Sequence, residues 1–177
     1  MNFRRLVLTH RNEKGITLVE LLVAMLVTGI ITASITGTLW QVFTINSRSL
    51  NHMTAIRQTQ SAGYWVSHDA LMAQSITTSG TASGLPMTLT WTDWDGTPHK
   101  VTYSIDDGNS RLERLQEGAG ESAVARYIVE KRPTDSNGTS CNFTNGKLIF
   151  TVKAKVGSGS TAGTELRVYE VTPRTGQ

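Results

Sequence analysis

The chain has 177 residues, room for one ordinary domain and an appendage, and its 38% hydrophobic and 18% charged content excludes a wholly disordered polypeptide. The formal net charge of +3 sits in the first fifteen residues, where Arg4, Arg5, Arg11 and Lys14 outnumber Glu13. The remainder balances to zero, which argues against a nucleic-acid-binding surface on the folded part. One cysteine, Cys141, excludes an intramolecular disulfide and cannot by itself build a zinc site; it reads as a small packed side chain.

Between Lys14 and Arg48 the only ionisable residue is Glu20, and residues 21–47 carry no charge. A bilayer core needs about 20 apolar residues, and the run exceeds the roughly 7–15 residue apolar region of an ordinary secretory signal. It predicts a retained membrane helix with the basic N-terminal side in the cytoplasm and the C-terminal domain outside. Glu20 breaks the pattern. A carboxylate within a bilayer helix costs about 3 kcal/mol even on a lenient insertion scale and is normally paired and functional, unless it lies near the interface and reaches headgroups. Gly29, Ala33 and Gly37 recur at four-residue spacing on one face. Such a stripe permits close helix approach, although glycine is frequent in membrane helices for other reasons as well.

Leu50, Met53, Ile56, Tyr64 and Leu71, with Gln60 and Ser67 interposed, continue a period near 3.6. They predict one helix from Ile16 to about Ile76, about 90 Å long, whose second half is amphipathic and needs a sheet to cover it. Ser79-Gly80-Thr81-Ala82-Ser83-Gly84 ends it as a small-residue loop. Alternating segments then predict strands over Met87–Thr92, Lys100–Ile105, Arg111–Gln116, Val124–Val129, Lys147–Ala154 and Glu165–Val171. Asp95-Gly96, Asp107-Gly108-Asn109, Asn137-Gly138, Asn145-Gly146 and a loop over 157–163 supply the turns, with Asp107-Gly108 the clearest hairpin. The expected fold is α+β: a long N-terminal helix, transmembrane in its first half, packed on a mainly antiparallel sheet.

The string Lys14-Gly15-Ile16-Thr17-Leu18-Val19-Glu20-Leu21-Leu22 resembles the class III signal of type IV pilins and type II secretion pseudopilins. The resemblance implies cleavage by a prepilin peptidase between Gly15 and Ile16 and N-methylation of Ile16, where most members of the family have Phe. It also places Glu20 at the fifth position after the cut. There its carboxylate can pair with the new α-amine of a neighbouring subunit, so that two charges costly alone become tolerable together. The implied organisation is a leader over 1–15, an assembly helix over 16–45 and an extracytoplasmic pilin-like domain over 46–177.

More diffusely, Arg57-Gln58, Ser67-His68-Asp69-Ala70-Leu71 and Gln74 resemble the late helix of minor pilins and J-class pseudopilins. Val101-Thr102-Tyr103, Arg111-Leu112-Glu113-Arg114 and Val171-Thr172-Pro173-Arg174 resemble their sheet and terminus. The paired cysteines of many major pilins are absent, which favours a minor subunit or a pseudopilin.

Catalytic chemistry is not evident in the sequence. His10, His52, His68 and His99 are scattered, and no HExxH, GxSxG, Walker or GxGxxG pattern occurs. Asp93-Trp94-Asp95-Gly96 reads as a hairpin turn, since a calcium loop needs further carboxylates at fixed positions, and Asp106 and Asp107 read the same way. Trp91 and Trp94 read as one core ring and one exposed ring.

A structural subunit of a type IV pilus or type II secretion filament is therefore expected, not an enzyme, with no cofactor and no metal. Its expected partners are prepilin peptidase, other pilin or pseudopilin subunits, an inner-membrane assembly platform and the membrane itself, with no nucleic acid. The alternative is a pilus-tip adhesin or DNA-uptake subunit on the same anchor.

Overall fold

A computed structural model of the chain describes residues 15–130 and 137–174, so the expected leader, with His10, lies outside the described residues apart from Gly15. The chain divides between Phe43 and Thr44 into two compact units. Helix α1 runs Leu18–Met72.

In the first unit α1 is long and apolar enough to cross a membrane, with a mean hydropathy of 2.3 over its most apolar window. Every large apolar side chain from Leu18 to Phe43 is exposed. The polar residues of this stretch do not leave hydroxyls unpaired. Thr28, Thr32, Ser34, Thr36 and Thr38 each donate to the carbonyl four residues earlier, at 2.8–2.9 Å, the bond available to a hydroxyl inside a helix.

Among the described residues of the second unit, α1 packs against the face of eight strands. The first five, β1 (Ser75–Thr78), β2 (Met87–Thr92), β3 (Pro98–Asp106), β4 (Arg111–Gln116) and β5 (Gly120–Arg126), form one antiparallel meander in sequence order. The other three, β6 (Ser140–Thr144), β7 (Lys147–Val156) and β8 (Gly163–Val171), form a second antiparallel sheet. Both sheets and the helix share one core, in which Tyr103, Phe150, Met87, Leu89, Leu112 and Leu148 are the largest fully buried side chains.

The expected α+β architecture holds, but the helix presents a different face to the sheet than its large residues predict. Leu50, Met53, Tyr64 and Leu71 are all more than half exposed. The buried face is Ala55, Thr59, Ala62, Gly63, Val66, Asp69 and Ala70. At 100° per residue the two sets lie on roughly opposite sides of the helix. The sheet supplies the bulk, and the helix supplies small residues that let the sheet come close. Tyr169 shows how close. A Cβ on Gly63 would enter its ring, and its hydroxyl donates to the Thr59 carbonyl at 3.2 Å.

Other boundaries differ for local reasons. The helix ends at Met72, not near Ile76, because the next residues join the sheet. Gln74 N–H donates to the Thr90 carbonyl at 2.9 Å, and the β-branched run Ile76-Thr77-Thr78 pairs with Leu89, Thr88 and Met87. The strand expected over Val124–Val129 is β5, which begins earlier and stops at Arg126, because Tyr127 turns to a left-handed φ of 61°. β6 was not expected. It is joined to β7 by Asn145-Gly146, both at positive φ (53° and 71°), as a two-residue I′ hairpin turn requires. In the β3–β4 turn Asp106, rather than Asp107, accepts the N–H groups of Gly108 and Asn109 at 3.0 and 3.3 Å.

Candidate functional site

Gly15 and Ile16 are exposed and precede the first helical residue, Leu18. Thr17 is the N-cap. Its Oγ1 accepts the Glu20 N–H at 3.3 Å and its carbonyl accepts the Leu21 N–H at 3.2 Å. Thr17-Leu18-Val19-Glu20 therefore has the spacing of a capping box, with Glu20 at the third helical position, where a carboxylate also meets the positive end of the helix dipole. The Gly15–Ile16 peptide bond thus lies in open, non-helical chain one residue before a capped helix. The T-x-x-E spacing signals this role of Thr17 in the sequence, although Glu20 itself reads there as an assembly residue. The Glu20 side chain is exposed and has no hydrogen-bond or ion-pair partner among the described residues.

The small-residue stripe stands in the same helix. Gly29, Ala33 and Gly37 are exposed, and a Cβ on either glycine would meet nothing within 4 Å. Among the described residues nothing packs against those glycine positions.

The second unit brings together residues that the sequence left apart. Arg114 of β4 donates from Nε to Asp69 Oδ2 at 2.7 Å and from Nη2 to Oδ1 at 3.2 Å. The Tyr103 hydroxyl donates to the same Oδ2 at 2.5 Å. Arg114 Nη1 donates to Gln116 Oε1 at 2.8 Å, and its guanidinium lies 5.3 Å from the Trp65 ring centre. Burial and the Asp69 carboxylate push the Tyr103 phenol well above its ordinary range, and Asp69 raises Arg114 further. His68 stays outside the cluster, its Nδ1 3.6 Å from Asp69 Oδ1. This largely buried ion pair fastens helix to sheet.

The remaining sequence candidates resolve into structure. Asp95 accepts the Thr97 N–H at 2.9 Å, which holds its carboxyl below the usual range. Asp93 pairs with His99 at 2.8 Å, and His99 stacks on Trp91. The segment is a closed hairpin turn carrying Trp94, which is 99% exposed. Among the described residues no group of three or more His, Cys, Asp or Glu side chains could hold a metal ion. Cys141 is buried, donates to the Gly84 carbonyl at 3.0 Å, and its thiol is pushed up to about 12 by burial.

A family model, the prokaryotic N-terminal methylation motif, matches residues 10–36. Those residues carry a type IV prepilin-like signal. The methylation motif takes in Gly15, Ile16, the Thr17 cap, Glu20 and most of the exposed apolar stretch. With that helix it supports membrane anchoring and a type IV pilin-like protein processed by prepilin peptidase that assembles with other pilins. The second unit lies beyond the motif, and no curated protein and no solved structure gives a significant match to the chain.

Proposed function

We propose that the chain is a structural subunit, a minor pilin or pseudopilin, of a type IV pilus or type II secretion filament. The observation that carries this reading is the coincidence of the methylation motif with a capped, fully exposed apolar helix. In this reading prepilin peptidase hydrolyses the Gly15–Ile16 bond and releases the leader 1–15. The new Ile16 amine then attacks the methyl group of a methyl donor, whose leaving group departs, and loses a proton to become the N-methyl amine. Residues 16–45 hold the protein in the inner membrane with the domain 46–177 outside, until an assembly platform passes it into the filament. There the Glu20 carboxylate pairs with the Ile16 amine of a neighbour, because neither charge is tolerated alone in an apolar bundle. Gly29, Ala33 and Gly37 let the neighbour's helix approach. The role is structural rather than catalytic.

Co-expression with a prepilin peptidase tests the reading. Intact mass should show loss of the first fifteen residues and gain of one methyl group at Ile16; an unprocessed chain refutes it. Glu20→Ala should insert and be processed normally but fail to enter filaments, and normal incorporation would refute the pairing. The alternative, a tip adhesin or DNA-uptake subunit, has the exposure of Trp94 in its favour. It requires surface or DNA binding that Trp94→Ala abolishes.

A further inference from the structure

We propose that the cleft between α1 and the start of β8 binds the phosphate of an anionic phospholipid headgroup, in the leaflet that α1 crosses last. This rests on membrane anchoring alone and goes beyond the assembly reading, since it needs neither processing nor entry into a filament.

From Leu21 to His68 the helix holds no Asp or Glu. Its uncharged run ends at Ser47, and the first charge beyond it is Arg48, followed by His52 and Arg57. An arginine directly after the apolar stretch, on the translocated side, runs against the usual bias that keeps Lys and Arg cytoplasmic. No acid one turn away offsets it, as an i,i+4 pair would. Thr44 follows the last residue of the first unit, and four residues of helix carry the chain about 6 Å from there to Arg48. The polar layer of a bilayer is about 5–8 Å deep on each side. The Arg48 guanidinium is therefore within reach of headgroups.

The fold makes a site of this basic stretch. Ile45, Arg48, Ser49 and His52 form one wall of a cleft of about 500 Å³, and Gly163 and Thr164 stand on the other. The walls are held together. A Cβ on Gly163 would lie 2.3 Å from the His52 backbone nitrogen, so β8 starts against the helix backbone, and Asn51 Nδ2 donates to the Thr161 carbonyl at 2.8 Å. Arg48, Ser49 and His52 are exposed, and their side chains have no hydrogen-bond or ion-pair partner among the described residues. Thr54, by contrast, turns its hydroxyl back on the Leu50 carbonyl at 2.9 Å. The cleft thus offers a guanidinium fork, an imidazole and two hydroxyls, and no carboxylate, a donor set that suits phosphate oxygens. Glu165, the first acid of β8, is occupied by Arg167 at 3.0 Å. Lys155, exposed and opposite Thr164 in the β7–β8 register, adds positive charge. A phospholipid is the favoured source of the phosphate, because the membrane that holds α1 presents a dense anionic layer of headgroups there, and Ile45 gives the cleft an apolar end for the glycerol and chains.

Native mass spectrometry of the full chain in uncharged detergent, with lipid added, tests the site. Phosphatidylglycerol should be retained in preference to phosphatidylcholine, and inorganic phosphate at equal concentration should not displace it. Arg48→Ala should weaken that retention about fivefold, and His52→Ala should weaken it as well. Arg57→Ala, a loss of charge on the same helix outside the cleft, should leave it unchanged. Equal retention of the two lipids overturns the proposal, as does retention indifferent to Arg48→Ala. An Arg57→Ala loss as large as that of Arg48→Ala would show attraction to net charge alone and also overturns it. So does inorganic phosphate taking the place of the lipid at equal concentration, which would make the cleft a site for the free ion.

Discussion

Arg114 grips Asp69 with two nitrogens, 2.7 and 3.2 Å from the two carboxylate oxygens, and so joins β4 to the one charged residue on the buried face of α1. Both side chains are largely out of water, 12% and 4% exposed. Losing one partner leaves the other as an uncompensated charge. Asp69→Ala should therefore lower the unfolding free energy by about 3–5 kcal/mol, whereas Asp69→Leu combined with Arg114→Met should cost far less. Denaturant unfolding of the wild-type chain and these two variants gives the comparison; equal losses for the single and double variants would show that packing, not charge, dominates.

Alkaline stability follows from the same unit. The Cys141 thiol ionises near 9.0 when exposed but only at about 12 in the fold, and Tyr103 is raised from 10.0. Above pH 9 the unfolded chain therefore binds fewer protons than the folded one. Stability is fully present below pH 9 and falls as pH rises toward 12. Cys141→Ala should remove the early part of that fall and leave the later part, due to Tyr103. Melting temperatures from pH 8 to 11 are the measurement, and identical slopes for both chains would contradict it.

Two glycines of α1 should respond oppositely. Gly63→Ala drives a methyl group into the Tyr169 ring and should cost about 1–3 kcal/mol of overpacking, more than the roughly 1 kcal/mol that alanine gains in helix propensity. Gly29→Ala meets open space and should leave the purified chain as stable or slightly more so. If the small-residue stripe packs against a neighbour, Gly29→Ala and Gly37→Ala will instead show their cost in filament yield.

Thr17 holds the first turn of the anchor. Thr17→Val removes the oxygen that receives the Glu20 N–H, a loss of about 1 kcal/mol, and should speed hydrogen exchange at that amide about fivefold. Thr17→Ser should not. Unchanged exchange in Thr17→Val would mean that the cap does not hold the turn.

The strands lying between obvious turns were legible in the sequence, because period-two alternation and residues such as Asn145-Gly146 act locally. The helix was legible too, but not its orientation. Leu50, Met53, Tyr64 and Leu71 have the right period and lie on the wrong side, since large residues mark an interface only when the opposing surface leaves room for them. Here Tyr103, Phe150 and Met87 fill that space from the sheet. Asp69 stayed hidden for a related reason: its partners lie 34 and 45 residues away in sequence, so it looked like a surface neighbour of His68. β1 and β6 are short and polar, and only their pairing partners define them. In the candidate processing region Gly15, Ile16 and Glu20 lie within one short stretch, so their pattern can be seen in the sequence alone, and Thr17 needed only the capping rule.

The hydroxyls of Thr28, Thr32, Ser34, Thr36 and Thr38 have one further consequence. Each finds its acceptor on its own helix, so none depends on water, lipid headgroups or another chain. A segment with its hydrogen bonds settled internally can exchange one apolar surrounding for another without breaking any of them. Across that stretch the transfer changes only van der Waals neighbours. In the proposed assembly, the one group on the helix left to gain a companion is the carboxylate of Glu20.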